Sequence, residues 1–85
     1  MMKIAIIYDI SSDRLRTKFA QELMCYGMRV QFSVFEAEVT KREFSKIEDL
    51  AYKYSEEDDT VTIYEILDIQ RFGKVEYIEN YDLIF

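Results

Sequence analysis

Residues 4–20 read IAIIYDISSDRLRTKFA, and the change of character at Asp9 decides the fold. In an extended chain Ile4, Ile6 and Tyr8 take one face, and Ala5, Ile7 and Asp9 the other. Both faces are apolar until Asp9, so residues 3–10 predict a central strand covered on both sides, by helices on one and by a second subunit on the other. Ser11 and Ser12 are N-cap residues for a following helix. Leu15, Phe19, Leu23 and Tyr26 then recur at helical spacing up to Gly27, which reads as a C-terminal cap and gives a helix of about 14 residues.

Outward from this core the periodicity alternates. Residues 29–39, RVQFSVFEAEV, are extended, but the apolar parity shifts from Val30, Phe32 and Val34 to Phe35, Ala37 and Val39. A one-residue slip moves every side chain across a sheet, so the shift requires a bulge or a tight reversal near Val34, giving one bent strand or two short ones. Thr40 with Glu43 is a capping box, with Val39 placed to staple onto Phe44. Phe44, Ile47, Ala51 and Tyr54 form the buried stripe of a second helix that stops at the acidic run SEEDD. TVTIYEIL at 60–67 predicts a third strand and VEYI at 75–78 a shorter fourth, before an apolar DLIF end. The order is that of an α+β, ferredoxin-like β-α-β-β-α-β sandwich with an extra C-terminal strand. Two helices cover one sheet face only, and a two-fold homodimer supplies the other cover.

The chain has 85 residues, 13 of them Tyr or Phe, no proline and only two glycines. That predicts one domain, 1–85, without linkers, with 68–85 as a C-terminal extension packing on the partner subunit. The single cysteine, Cys25, excludes an intrachain disulfide and reads as a packing residue. No stretch is apolar enough to span a bilayer and MMKIAIIYD lacks signal-peptide layout, so no membrane association and a cytoplasmic location are expected. With no histidine, Ser-His and Cys-His nucleophiles are excluded; chemistry must come from carboxylates, Tyr, Lys, Arg or a metal. The net charge of −6 opposes phosphate binding on average. Residues 1–46, however, hold eight Lys or Arg against six Asp or Glu, and 47–85 hold three against eleven, which confines a basic face to the first half.

The chemistry-bearing candidates follow from position. Asp9 leaves the central strand where a loop reaches ligands; it is either a cap or ion-pair partner, or one half of a Mg²⁺ site completed by a second copy, since one carboxylate alone holds Mg²⁺ poorly. Arg14, Lys18 and Gln21 share the polar face of the first helix. Arg16 falls on its apolar side near Leu23 and Phe19, either pairing with Asp9 or Asp13 or contacting phosphate. Both arginines stand near a helix N-terminus, where the macrodipole disfavours cations. Arg29, Gln31 and Ser33 form a polar row on the second extended run. Tyr8 and Phe35 read as core, or as rings on which a base stacks. Glu56, Glu57, Asp58 and Asp59 lack calcium-loop spacing and read as a solvated turn.

The run IIYDISSDRLRTKFAQELMCYGMRVQFSVFEAEVT resembles the first half of the Cas-two family, the small CRISPR-associated subunit of spacer acquisition. The matching pieces are the strand ending in Tyr8 and Asp9, the segment Asp13, Arg16 and Lys18, then Gly27 and RVQFSVFEAEVT; residues 60–67 resemble the family's last core strand and FGKVEYI its extension. The resemblance implies a ferredoxin-like homodimer that bridges the CRISPR integrase subunit and holds double-stranded DNA. It also implies metal-dependent endonuclease activity on single-stranded RNA or double-stranded DNA, with Asp9 of both subunits holding Mg²⁺. By the same resemblance Tyr8, Asp9, Arg16, Lys18, Arg29 and Phe35 serve activity or nucleic-acid contact; Arg14 and Gln31, on the polar faces of the first helix and the second extended run, join Arg16, Lys18 and Arg29 as nucleic-acid-binding candidates. The alternatives are a purely non-catalytic scaffold or a toxin-like ribonuclease of the VapD type.

Overall fold

The computed structural model describes residues 1–72 and 75–84, with side chains for residues 1–67 and 81–84. The elements are β1 (Met2–Asp9), α1 (Asp13–Leu23), β2 (Gly27–Gln31), β3 (Val34–Val39), α2 (Lys41–Tyr54), β4 (Thr60–Phe72) and β5 (Val75–Leu83). They build one antiparallel sheet in the order β2-β3-β1-β4-β5. The first six elements are the ferredoxin-like α+β arrangement expected, and β5 is the added strand.

The double apolar face of β1 explains its central place, between β3 and β4. Ile4 and Ile6 stand opposite Ala37 and Phe35 on one side, and Ile6 opposite Ile63 on the other. These side chains meet Phe19, Leu23, Ile47 and Ala51 from the two helices in the core. The capping chemistry is where the sequence put it. Ser12 accepts from the Leu15 N–H at the start of α1. At α2, Thr40 accepts from the Glu43 N–H at 3.1 Å while Glu43 accepts from the Thr40 N–H at 2.9 Å, which fixes the turn into the helix.

Four expectations change. The helix α1 has 11 residues and ends at the C-cap Met24, because Gly27 is needed elsewhere: it opens β2 opposite Ala37, where a Cβ would stand 2.1 Å from the Glu36 carbonyl oxygen. Only glycine permits that close approach of two backbones. Cys25, in the turn left by the shorter helix, is exposed and is not a packing residue. The parity change at 29–39 is resolved by two devices, a two-residue reversal at Phe32 and Ser33 and a bulge in which Val30 is the extra residue. The bulge breaks the polar row, since Arg29 pairs with Phe35 on the helix side while Gln31 pairs with Val34 on the other. The last two strands also run further than TVTIYEIL and VEYI, and pair with each other from Phe72↔Val75 to Tyr64↔Leu83. Phe85 lies outside the described residues.

The face turned away from the helices is not closed by the described residues. Register places Ala5, Ile7 and Asp9 on it with Met28, Tyr64, Tyr81 and Leu83. Ala5 is buried, but Ile7 is 40% exposed, Met28 64% and Leu83 62%. Among the described residues no helix is long and apolar enough to cross a membrane.

Candidate functional site

A hollow of about 320 Å³ lies between α1 and the β2–β3 hairpin, lined by Tyr8, Arg16, Thr17, Gln21, Arg29 and Phe32, with Ala20 and Met24 beside them. Each side chain is there for a local reason. Tyr8 is 4% exposed, its ring edge-on to Phe19 at 5.1 Å and stacked on Phe35 at 6.4 Å. Its hydroxyl is buried with no hydrogen-bond partner among the described residues. A buried, unsatisfied polar atom is costly.

Arg16 is held by the loop that precedes its helix. Its Nη1 donates to the Ile10 carbonyl at 2.9 Å and its Nη2 to the Asp13 carboxylate. The Asp13 charge offsets the unfavourable position of a cation near the helix start. These bonds settle the choice of carboxylate: Asp13 is the partner, not Asp9. The guanidinium, with three of its five N–H groups left over, lies 5.6 Å from the Phe32 ring centre. Arg29 is exposed and lies 5.6 Å from the Phe35 ring centre, so it roofs the buried ring while its charge faces out.

The sequence-derived candidates therefore separate into groups. Tyr8, Arg16 and Arg29 meet at the hollow, and Phe35, fully buried, supports two of them from below. Arg14 and Lys18 are exposed on the outer surface of α1 and do not line the hollow. Gln31 lies across the sheet. Asp9 is exposed at the end of β1, opposite Thr60 and on the face away from the helices. It neither caps α1 nor forms an ion pair among the described residues. No group of three metal-ligating side chains occurs among the described residues, so one chain offers Mg²⁺ a single carboxylate of the right hard-oxygen kind. A second Asp9 is needed for the fit.

Sequence reasoning missed Phe32. In the sequence it is one member of an apolar alternation, but it stands on the hairpin reversal and is 74% exposed. The signal was present in Phe-Ser at the point where the parity breaks.

The loop after Asp9 is fixed from a distance. The Asp59 carboxylate accepts from the Ser11 N–H and hydroxyl, each at 3.1 Å, and from the Glu56 N–H at 2.8 Å. The acidic run thus ends in a turn tied to the β1–α1 loop. The bonds from the Glu56 and Ser11 N–H groups hold the Asp59 carboxyl below its ordinary value. A lowered carboxyl contributes stability above its unfolded value, and that contribution is lost as pH falls through the lower folded one. An NMR acid titration is expected to give Asp59 a midpoint below that of a peptide carboxyl, with the Ser11 amide resonance moving in step. Independent titration of the two would break the link.

Comparison with known proteins bears on this geometry. The family model described as CRISPR associated protein Cas2 matches residues 2–74. A Synechocystis protein named CRISPR-associated endoribonuclease Cas2 3 is 42% identical over 65 residues, covering 75% of this chain and 71% of that protein. A Mycobacterium tuberculosis protein named CRISPR-associated endoribonuclease Cas2 is 38% identical over 65 residues, 76% of this chain but 58% of its own length. Among solved structures, the Thermus thermophilus hypothetical protein TT1823 superposes with a TM-score of 0.76 at 32% identity, covering 89% of this chain and 94% of that one. Streptococcus pyogenes Cas2 at pH 6.5 gives 0.67 at 29%, covering 73% and 82%.

Proposed function

The chain belongs to the CRISPR-associated Cas2 family, and on that premise we propose that it works as a homodimer that binds nucleic acid and cleaves phosphodiesters with Mg²⁺ in CRISPR adaptation. The observation that carries the reading is the exposed Asp9 on an uncovered sheet face. Ile7, Met28 and Leu83 leave that face apolar, and a second copy related by a two-fold axis covers it and brings a second Asp9 to the seam. The C-terminal extension, 68–85, joins that contact. The two Asp9 carboxylates would hold Mg²⁺, which would supply a Lewis acid for the phosphate and lower the pKa of bound water.

The remaining residues have work that does not depend on the ion. Arg16 and Arg29 hold phosphate oxygens at the hollow, and Arg14 and Lys18 extend the charge along α1. A dimer carries twice the chain's −6, so binding rests on this local stripe and weakens steeply with salt. The names of the relatives support an RNA substrate; the extended basic surface of α1 also suits a duplex, held while the integrase subunit is bridged.

The test is cleavage of single-stranded RNA and double-stranded DNA by the purified chain in Mg²⁺ and in EDTA, with the assembly state measured in parallel. A dimer that cuts in Mg²⁺ and not in EDTA is expected. A dimer that binds but cuts neither substrate makes the protein a scaffold, and a monomer removes the shared Asp9 site.

A further inference from the structure

The hollow has one wall that the family resemblance did not use. Phe32 stands on a two-residue reversal, 74% exposed. An exposed ring alone is unremarkable, but this one is held rigidly. Ser33 beside it adopts φ +64°, a left-handed conformation unusual for a non-glycine residue, and its carbonyl accepts the Tyr8 N–H at 3.1 Å. The turn tip is thereby hooked to the end of the central strand. The Arg16 guanidinium lies 5.6 Å from the ring centre, against one face, and Arg16 itself is fixed by Ile10 and Asp13. With most of the residue open, the other ring face is available.

Two further facts say what the open face meets. The hollow next to it is about 320 Å³, at the lower end of the range for small-ligand pockets and suited to a single nucleotide unit. It is polar where a phosphate or sugar would lie, with Arg16 and Arg29. Its aromatic lining is the buried Tyr8 and, on the hairpin tip, the exposed Phe32. A cationic pocket beside an ordered ring is the arrangement that binds a strand through its backbone and stacks its base. Bases inside a duplex offer no free face to such a ring.

We propose that Phe32 is a stacking platform for an unpaired nucleobase whose adjacent phosphate is held by Arg16 and Arg29. This rests on the nucleic-acid reading above and deepens it: the hollow selects a single-stranded segment. RNA and DNA strands share the chemistry, and the sugar preference is read from the experiment.

Binding of a short single-stranded RNA, a single-stranded DNA of the same sequence and a duplex closed at both ends by non-nucleotide linkers is measured for wild type, Phe32→Ala and Phe32→Trp. Each single strand carries a fluorescent purine analogue that is quenched on stacking. Because Phe32 is exposed and Arg16 keeps its two backbone and carboxylate bonds, both variants fold. The expected result is a loss of roughly tenfold in single-strand affinity and of the quenching for Phe32→Ala, recovery of both in Phe32→Trp, and unchanged binding of the closed duplex. A loss on one kind of strand only identifies the preferred sugar and supports the platform. If wild type binds single strands and Phe32→Ala binds them equally, or loses the closed duplex by the same factor, the platform is wrong while the nucleic-acid reading stands. If wild type binds none of the three, both fall.

Discussion

Asp9→Ala is expected to leave a folded chain that has lost at least about a hundredfold in Mg²⁺-dependent cleavage, since replacing a group that merely orients a metal ligand already costs 10–100-fold. The structure makes this variant unusually clean to interpret. Asp9 is exposed, caps no helix and forms no ion pair among the described residues, so its removal should alter stability by no more than about 0.5 kcal/mol. A lost activity then reports on chemistry. The assembly moves the opposite way. Two carboxylates brought together without a cation repel, so in EDTA the variant should dimerise at least as tightly as wild type. Cleavage, thermal melting and sedimentation on the same samples check all three statements. Cleavage retained in the variant, with contaminating nuclease excluded, would remove Asp9 from the reaction.

The second large effect is on stability. Phe35→Ala should lower the unfolding free energy by about 3–5 kcal/mol, a large part of the roughly 4–13 kcal/mol that a domain of this size holds. Phe35 is fully buried, opposite Ile6 in β1 and Arg29 in β2. Its ring supports the Tyr8 ring and the Arg29 guanidinium. The resemblance gave Phe35 a part in activity, and the structure supplies a physical route: without the ring, two lining residues of the hollow lose their support. Urea denaturation measures the loss, and Phe35→Leu, which keeps most of the volume, should recover much of it. A Phe35→Ala protein of wild-type stability that fails to act would instead make Phe35 a direct ligand contact.

These residues also show what could be read from the chain. The period-2 run at β1, the helical spacing of Phe19 and Leu23, and the capping box Thr40–Glu43 are local signals whose tertiary environment agrees with them, so sequence and structure coincide. Gly27 carried two compatible meanings, helix cap and close strand approach, and only the position of Ala37 and the Glu36 carbonyl chooses between them. The parity change near Val34 announced an irregularity, but placing the extra residue at Val30 needs the partner strand. For that reason Gln31 was grouped with Arg29 although the sheet separates them. Arg16 had two acidic candidates, Asp9 and Asp13, and the Ile10 carbonyl, which no side-chain pattern reveals, fixes the guanidinium toward Asp13. The role of 68–85 on a partner subunit depends on a second chain and stays with the dimer proposal.

The tie between Ser11 and Asp59 has a consequence for the order of assembly. It joins residues 48 apart in sequence, so its closure entropy must be met before the contact rewards it. During synthesis, N-terminal segments emerge first; β1, α1 and the β2–β3 hairpin are all complete while Asp59 is still unmade. The hollow, built from those early elements, can take shape on a growing chain. The loop beyond Asp9 is fastened only when α2 and the turn before β4 have followed, so the walls of the hollow precede the fastening of that loop in time.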